Sequence, residues 1–146
     1  MITILGRPLW HDPPRVFSFG LNDNDTNKQI FDVYSFSHIQ GGILSFFLFK
    51  KILNIRFKNA FILSIVGGII FEIVENTNFV IKKFRKNYSK YKGDSIVNII
   101  GDIACNTLGF LFAHYYPNSS IAFFIITSII LYPFRADFIS QGISVL

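Results

Sequence analysis

Charge is what this chain has least of. Asp, Glu, Lys and Arg make up 16% of its 146 residues, against roughly 25% in ordinary soluble domains. A soluble fold of this size would need more charge to wet its surface; a chain surrounded by lipid would not. Cysteine is nearly absent as well. Cys105 stands alone, which excludes an internal disulfide framework and any Cys-based zinc site, and it reads as a small packing residue. Acidic residues are the minority charge, nine against 14 Lys and Arg, so an acidic tail is excluded. What fills the chain instead is apolar: 51% hydrophobic residues, 18 Phe, and a mean hydropathy of +0.42. That composition excludes disorder. The net charge of +5 would suggest nucleic acid if it covered one face of a soluble fold. Most of the Lys and Arg lie instead in two short segments between apolar runs, as membrane-flanking charge does. No nucleic-acid partner is expected.

The sequence reads as one all-α membrane domain over residues 1–146, a polytopic bundle of about four transmembrane helices. Residues 1–35 form a polar N-terminal segment, kept from long helix by Pro8, Pro13 and Pro14, with a polar turn at Asn22 to Asn27. No signal peptide is evident in it. Spans are expected near 36–54, 60–81, 94–116 and 121–139, the second about the ~20 residues that cross ~30 Å of hydrocarbon. No Asp, Glu, Lys or Arg occurs from Ile103 to Phe134. The Pro117-Asn118-Ser119-Ser120 turn splits that stretch and makes the last two spans an antiparallel hairpin. Helices are required because an open strand edge in lipid leaves backbone groups unpaired. The N-terminal segment and the Lys82–Lys92 loop share one side. That side carries more Lys and Arg than the side of Lys50, Lys51, Arg56 and Lys58, and the positive-inside rule places it in the cytoplasm.

The informative residues are the polar ones inside the spans. Glu72, Glu75 and Asn76 share a face of the second span at i, i+3, i+4. Asp94, Asn98 and Asp102 share a face of the third at i, i+4, i+8, and His38 opens the first. Arg135 and Asp137 lie near the end of the fourth. With ~1.5 Å of rise per residue, Glu72 and Asp102 both fall roughly 12–14 Å below one membrane surface. Four segments therefore aim polar groups at one leaflet. A carboxylate in hydrocarbon costs at least ~2.5–3.5 kcal/mol on insertion scales, so these groups must meet each other, a cation or water. Protonation, a salt bridge to Arg135 or His38, and a bound divalent metal all remain open.

Plainer roles stand beside each of these. Glu and Asn in a span can be interhelical hydrogen-bond glue. A His at a helix start is often interfacial. The Lys82–Lys92 run is a solvated loop drawn to anionic head groups. Gly41, Gly42, Gly67, Gly68, Gly101 and Gly109 allow close helix packing.

Five stretches resemble a known family. They are Leu5-Gly6-Arg7-Pro8 with Leu9-Trp10-His11; Asp32-Val33-Tyr34-Ser35-Phe36-Ser37-His38-Ile39 with Gly42; Glu72-Ile73-Val74-Glu75-Asn76-Thr77; Gly93-Asp94-Ser95 with Asn98 and Asp102; and the Arg135/Asp137 end. Together they resemble an uncharacterised bacterial integral-membrane family, number 2585 among the domains of unknown function. The spaced His, Glu, Asp and Asn are more remotely similar to VanZ-like membrane proteins, which are linked to glycopeptide resistance. The resemblance implies a multi-span protein of the bacterial inner (plasma) membrane and supplies no reaction. It also implies a hydrophobic span ahead of the N-terminal segment and a Cys-containing piece between Gly-Arg-Pro and Trp-His, neither present here. With that span and a cytoplasmic start, the polar cluster would face outward.

The leading expectation is an intramembrane polar site near one leaflet. In its enzymatic form His38, Glu72, Glu75, Asp94 and Asp102 hold a divalent metal. His38, Glu72, Glu75 and Asp102 carry the chemistry, with His38 as ligand or general base. Asn76, Asn98 and Arg135 bind substrate, Arg135 taking a phosphate. Oxygen ligands favour Mg²⁺, Ca²⁺ or Mn²⁺, and the His admits Zn²⁺ or Fe²⁺. A metal-activated water at head-group depth would attack a lipid phosphate or acyl carbonyl. No P-loop, Ser-nucleophile or HExxH motif is present. The alternative is a non-enzymatic ion, proton or lipid-binding component of a transporter or scaffold. A homodimer through the Gly-rich faces would supply the missing half of a small transporter. A third reading is a polar core that fixes helix register. Membrane lipids are the expected partners.

Overall fold

The computed structural model describes residues 3–4, 7–10, 15–20, 27–84 and 92–145. Six α-helices dominate: α1 (Ser35–Phe46), α2 (Phe57–Glu75), α3 (Asn78–Phe84), α4 (Ile96–Tyr115), α5 (Pro117–Leu131) and α6 (Phe138–Val145). A π-helical turn, Phe47–Ile52, extends α1. The only strands among the described residues are two-residue pieces, Thr3–Ile4 paired antiparallel with Arg7–Pro8. The fold is therefore all-α, as the apolar runs require.

Local chemistry sets the helix boundaries. Asp32 and Ser35 begin α1 reciprocally: the Ser35 amide donates to Asp32 Oδ1 (3.3 Å) and the Asp32 amide donates to Ser35 Oγ (3.1 Å). Each side chain thus satisfies an amide at the helix start. Ser95 caps α4 by accepting from the Asn98 amide at 3.2 Å. Pro117 starts α5, where its missing N–H costs nothing. Only Tyr116 separates α4 from α5, so these two helices do form the expected tight hairpin. Asp137 caps α6, its Oδ1 accepting from the Ile139 and Ser140 amides at 3.1 Å.

The second apolar segment differs from its sequence reading. Its helix stops at Glu75, Asn76 and Thr77 form a turn, and Asn78 to Ile81 belong to the separate α3. Asn76 causes the stop, because its carboxamide turns to the Glu72 carbonyl (3.1 Å) and to Asp94. Thr77 then starts the next helix, with its hydroxyl facing the Val80 amide at 3.4 Å.

The four long elements run up, down, up, down. Ser35 meets Asp102 at one end, while Phe46 meets Phe110 and His114 at the other. Helices α1 and α4 therefore run in the same direction. Helix α2 returns between those ends, from Phe57 beside Phe110 and His114 to Glu72 beside His38. The α1–α4 seam is backbone against backbone. A Cβ on Gly42 would stand 1.9 Å from the Asn106 carbonyl, and one on Gly109 2.1 Å from the Ile39 carbonyl. Only glycine permits that approach.

The distribution of polarity is inverted relative to a soluble domain. Helices Phe57–Glu75, Ile96–Tyr115 and Pro117–Phe134 are long and apolar enough to cross a membrane. Ile69, Ile70 and Ile73 of α2 and Ile125, Ile126, Ile129 and Ile130 of α5 are all exposed. The interior holds an apolar cluster of Ile43, Phe46, Ala60, Phe110 and Ala113 and a smaller one of Tyr34, Leu131 and Ala136. Where the starts of α1 and α4 meet the end of α2, most of the buried residues are polar.

Candidate functional site

That polar end is where the starts of α1 and α4 meet the end of α2. Helix α1 brings His38, α2 brings Glu72 and Glu75, and α4 brings Asp102, with Asp94 just before it. His38 lies between two carboxylates, its Nδ1 3.3 Å from Glu72 Oε1 and its Nε2 3.7 Å from Asp102 Oδ2. Ser35 donates its hydroxyl to Asp102 Oδ1 at 2.8 Å. Asn76 and Asp94 are joined twice: Asn76 Nδ2 donates to Asp94 Oδ2 at 2.5 Å, and the Asp94 amide donates to Asn76 Oδ1 at 2.9 Å. Gly93, just before, takes φ 91, a conformation a side chain would resist.

Two ligand sets emerge, His38/Glu72/Asp102 and Glu72/Glu75/Asp94. In each, one donor atom per residue lies within 4.8 Å of the others, and every member is buried. Glu72 belongs to both. It is 3% exposed, and among the described residues neither of its carboxylate oxygens has a hydrogen-bond partner. Asn98, on the Asp94/Asp102 face, is fully buried, and neither its Oδ1 nor its Nδ2 has a partner among the described residues. Native interiors rarely leave such groups unmet, and each that remains calls for an explanation such as an ion or water.

The cluster sits nearer the helix ends than the sequence suggests. Because α2 ends at Glu75, Glu72 is three residues from its terminus, and Asp102 is the seventh residue of α4. At ~1.5 Å per residue these depths are roughly 5 and 9 Å. The positive ends of the α1 and α4 dipoles point at the carboxylates. The α2 dipole opposes its own two Glu, which adds to the demand for a cation there.

The described part of the N-terminal segment covers this end. Val97 donates its amide to the Leu9 carbonyl at 3.1 Å, and Ser95 donates its amide to the Asn27 carbonyl at 2.9 Å and its hydroxyl to the Lys28 carbonyl at 2.9 Å. A Cβ on Gly101 would lie 2.0 Å from the Ile30 carbonyl. Asp32 anchors this cover, accepting from the Asn27 and Tyr34 amides at 2.8 Å. Burial pushes its carboxyl up to about 6; the Asn27 amide opposes that rise and the charge of Asp94 adds to it.

Of the sequence-selected residues, His38, Glu72, Glu75, Asp94, Asp102 and Asn76 are brought together. Asn98 lies on the same α4 face. Arg135 is not brought in. It is exposed at the end of a short 3₁₀ turn, in a left-handed conformation (φ 53), and among the described residues no ion pair links it to the cluster. Asp137 is a helix cap rather than a ligand. Most of the Asn22–Asn27 turn and of the Lys82–Lys92 loop lie outside the described residues. Sequence reasoning missed Ser35 and Asp32, although an Asp followed three residues later by Ser before an apolar run is a helix-start signal. It also missed Gln40, a fully buried amide in an apolar run. Gln40 donates to Thr127 (2.7 Å) and Ser128 (3.1 Å) of α5, and accepts from the Phe138 amide (2.8 Å) of α6.

The profile of a family described as "Protein of unknown function (DUF2585)" matches residues 3–140. Three curated relatives, each called "UPF0314 protein", are similar to the chain. One from Brucella anthropi is 39% identical over 101 residues, 64% of this chain and 49% of the relative. One from Sphingopyxis alaskensis is 29% identical over 127 residues (77% and 63%). One from Novosphingobium aromaticivorans is 32% identical over 116 residues (72% and 54%). The chain thus spans from about half to under two thirds of the length of these relatives. No solved structure matches it.

Proposed function

This chain belongs to the DUF2585 family of proteins of unknown function, and we propose that it is a multi-pass inner-membrane protein whose His/Glu/Asp/Asn cluster binds a divalent cation for chemistry on the head group of a membrane lipid. The observation that carries the reading is Glu72, a buried carboxylate without a hydrogen bond that belongs to two convergent ligand sets. A buried carboxylate that faces one imidazole and other carboxylates needs positive charge, and a divalent ion supplies it most compactly. Two carboxylates and one imidazole suit Zn²⁺, Fe²⁺ or Mn²⁺; the all-carboxylate set suits Mg²⁺, Ca²⁺ or Mn²⁺. Such an ion supplies an activated water and a Lewis acid. Ser35 and Asn76 hold Asp102 and Asp94 in place, and His38 is poised as ligand or base.

Crossing the membrane by α1 and its π turn, α2, α4 and α5 puts the cluster close to one lipid head-group layer. Ser35–Ile52 forms a continuous helical rod of ~27 Å at ~1.5 Å per residue, near the ~30 Å of hydrocarbon. The purified full chain should carry a stoichiometric transition metal, or bind Mn²⁺ after chelation, as read by elemental analysis and Mn²⁺ paramagnetic resonance. Glu72→Gln should lower Mn²⁺ affinity at least ~100-fold, since one residue serves both ligand sets. Wild-type protein that binds neither Mn²⁺ nor Zn²⁺ would overturn the proposal.

The His38 geometry favours a second reading, proton handling without metal. An imidazole between two carboxylates can pass a proton from one to the other. That reading predicts that Glu72→Gln leaves metal content unchanged.

A further inference from the structure

Beside the cluster is a cavity of about 190 Å³ between α1, α2 and α4, with Phe138 of α6 in its wall. Glycine makes the room, through Gly41 on one side and Gly67 and Gly68 on the other. A Cβ on Gly67 would meet nothing within 4 Å. Its neighbours Val66, Ile69 and Ile70 are exposed on the apolar outer surface of α2. The cavity is therefore open sideways, where a membrane would present acyl chains. His38 lines the cavity and also stands between Glu72 and Asp102, so an apolar slot and a polar site share one wall. An amphiphile has that same pair of ends. The volume is below the ~300–1,000 Å³ of ordinary small-molecule pockets, which fits one chain and not a whole lipid.

Asn106 adds an independent pointer. It is 6% exposed and lines the cavity. Its Nδ2 donates to the Ser64 carbonyl (3.1 Å) and hydroxyl (3.3 Å). A main-chain carbonyl only accepts, which fixes the orientation of the amide. Asn106 Oδ1 then borders the slot, 3.5 Å from where a Cβ on the lining residue Gly41 would stand, and it accepts no hydrogen bond from the described residues.

We infer that the slot takes one acyl chain of a membrane lipid, entered past Gly67, with the head group at the carboxylate cluster and a hydroxyl or amide N–H of the chain donating to Asn106 Oδ1. This deepens the lipid-head reading and rests on it. The substrate class is then a lipid with a hydroxylated or amide-linked chain, since a plain alkyl chain leaves that acceptor unmet.

The test uses the full chain in nanodiscs of phosphatidylethanolamine and phosphatidylglycerol. The probe is phosphatidic acid with a photoreactive diazirine midway along one chain. Saturable labelling should map to α1 and α2 around Gly41 and Gly67. Gly67→Leu, where the added side chain has room, should weaken labelling about tenfold, and Ser45→Leu on the opposite wall should do the same. Ala122→Leu, a comparable enlargement on the exposed face of α5, should leave labelling unchanged. Unlabelled phosphatidic acid with a 3-hydroxytetradecanoyl chain should compete better than its tetradecanoyl counterpart. Labelling scattered over α5, or undiminished in both filled variants with unchanged melting, would overturn the slot. Equal competition by the two chains would overturn the part given to Asn106. Mn²⁺ binding is measured on the same samples. Its absence alongside saturable slot labelling sinks the cation reading alone, and its persistence in an unlabelled wild type sinks the slot alone.

Discussion

Asp32 shows how one residue can hold a site closed without belonging to it. Its carboxyl accepts from the amides of Asn27, Tyr34 and Ser35, tying the polar cover to the start of α1. Burial raises its pKa from 3.8 to about 6, so its ionisation is more costly in the folded chain than in the unfolded one. The sign follows from linkage. Relative to Asp32→Asn, which is neutral throughout, the wild type should lose stability as pH rises from about 4 through about 6 and level off above that. Thermal melts of the two proteins in detergent across that range check it; a constant difference would count against a buried, charged Asp32. At this scale much was legible in advance. The spacings of Glu72/Glu75/Asn76 and Asp94/Asn98/Asp102 picked out residues that do converge. Arg135 was misplaced because charge near a span end looks alike in sequence whether it turns inward or outward. Ser35 was overlooked because a hydroxyl at a helix start looks like a cap and nothing more.

Among the elements, the α1–α4 seam governs. Gly42 and Gly109 each face the other helix's backbone at distances that leave no space for a methyl group. Gly42→Ala and Gly109→Ala should each destabilise the bundle by about 3 kcal/mol or more, at the upper end of overpacking costs, and lower the yield of folded protein. Gly67→Ala, with open space around it in mid-helix, should not destabilise the bundle and should gain up to about 1 kcal/mol from helix propensity. Equal effects of all three would mean that the helices do not touch as described. Sequence showed these glycines as permissive of close packing but gave no means of pairing Gly42 with Gly109, since that pairing depends on which two helices run in the same direction. It also ran the second helix through Asn76, because apolar residues resume at Phe79. The stop comes from a side chain bonded to Asp94, 18 positions away.

For the whole molecule, the up-down-up-down order places the carboxylate end, α3 and residue 92 on one side, and Lys50, Lys51 and Lys58 on the other. In a Cys105→Ser background, single cysteines at Lys82 and Lys58 should react with a membrane-impermeant maleimide from opposite faces of sealed vesicles; reaction from the same face would refute four crossings. Composition alone made the all-α class and the inverted polarity legible. One further property follows from the glycine seam. Interlocked backbones keep α1 and α4 from sliding or parting, whereas α2 meets them through side chains: Phe57, Ala60 and Phe61 at its start, Asn106 with Ser64 midway, and His38 with Glu72 at its end. A chain that enters past Gly67 runs along α2, and α2 also carries Glu72 and Glu75. The wall of the slot and two of the cluster's carboxylates therefore belong to one helix, and a shift of α2 would alter both together.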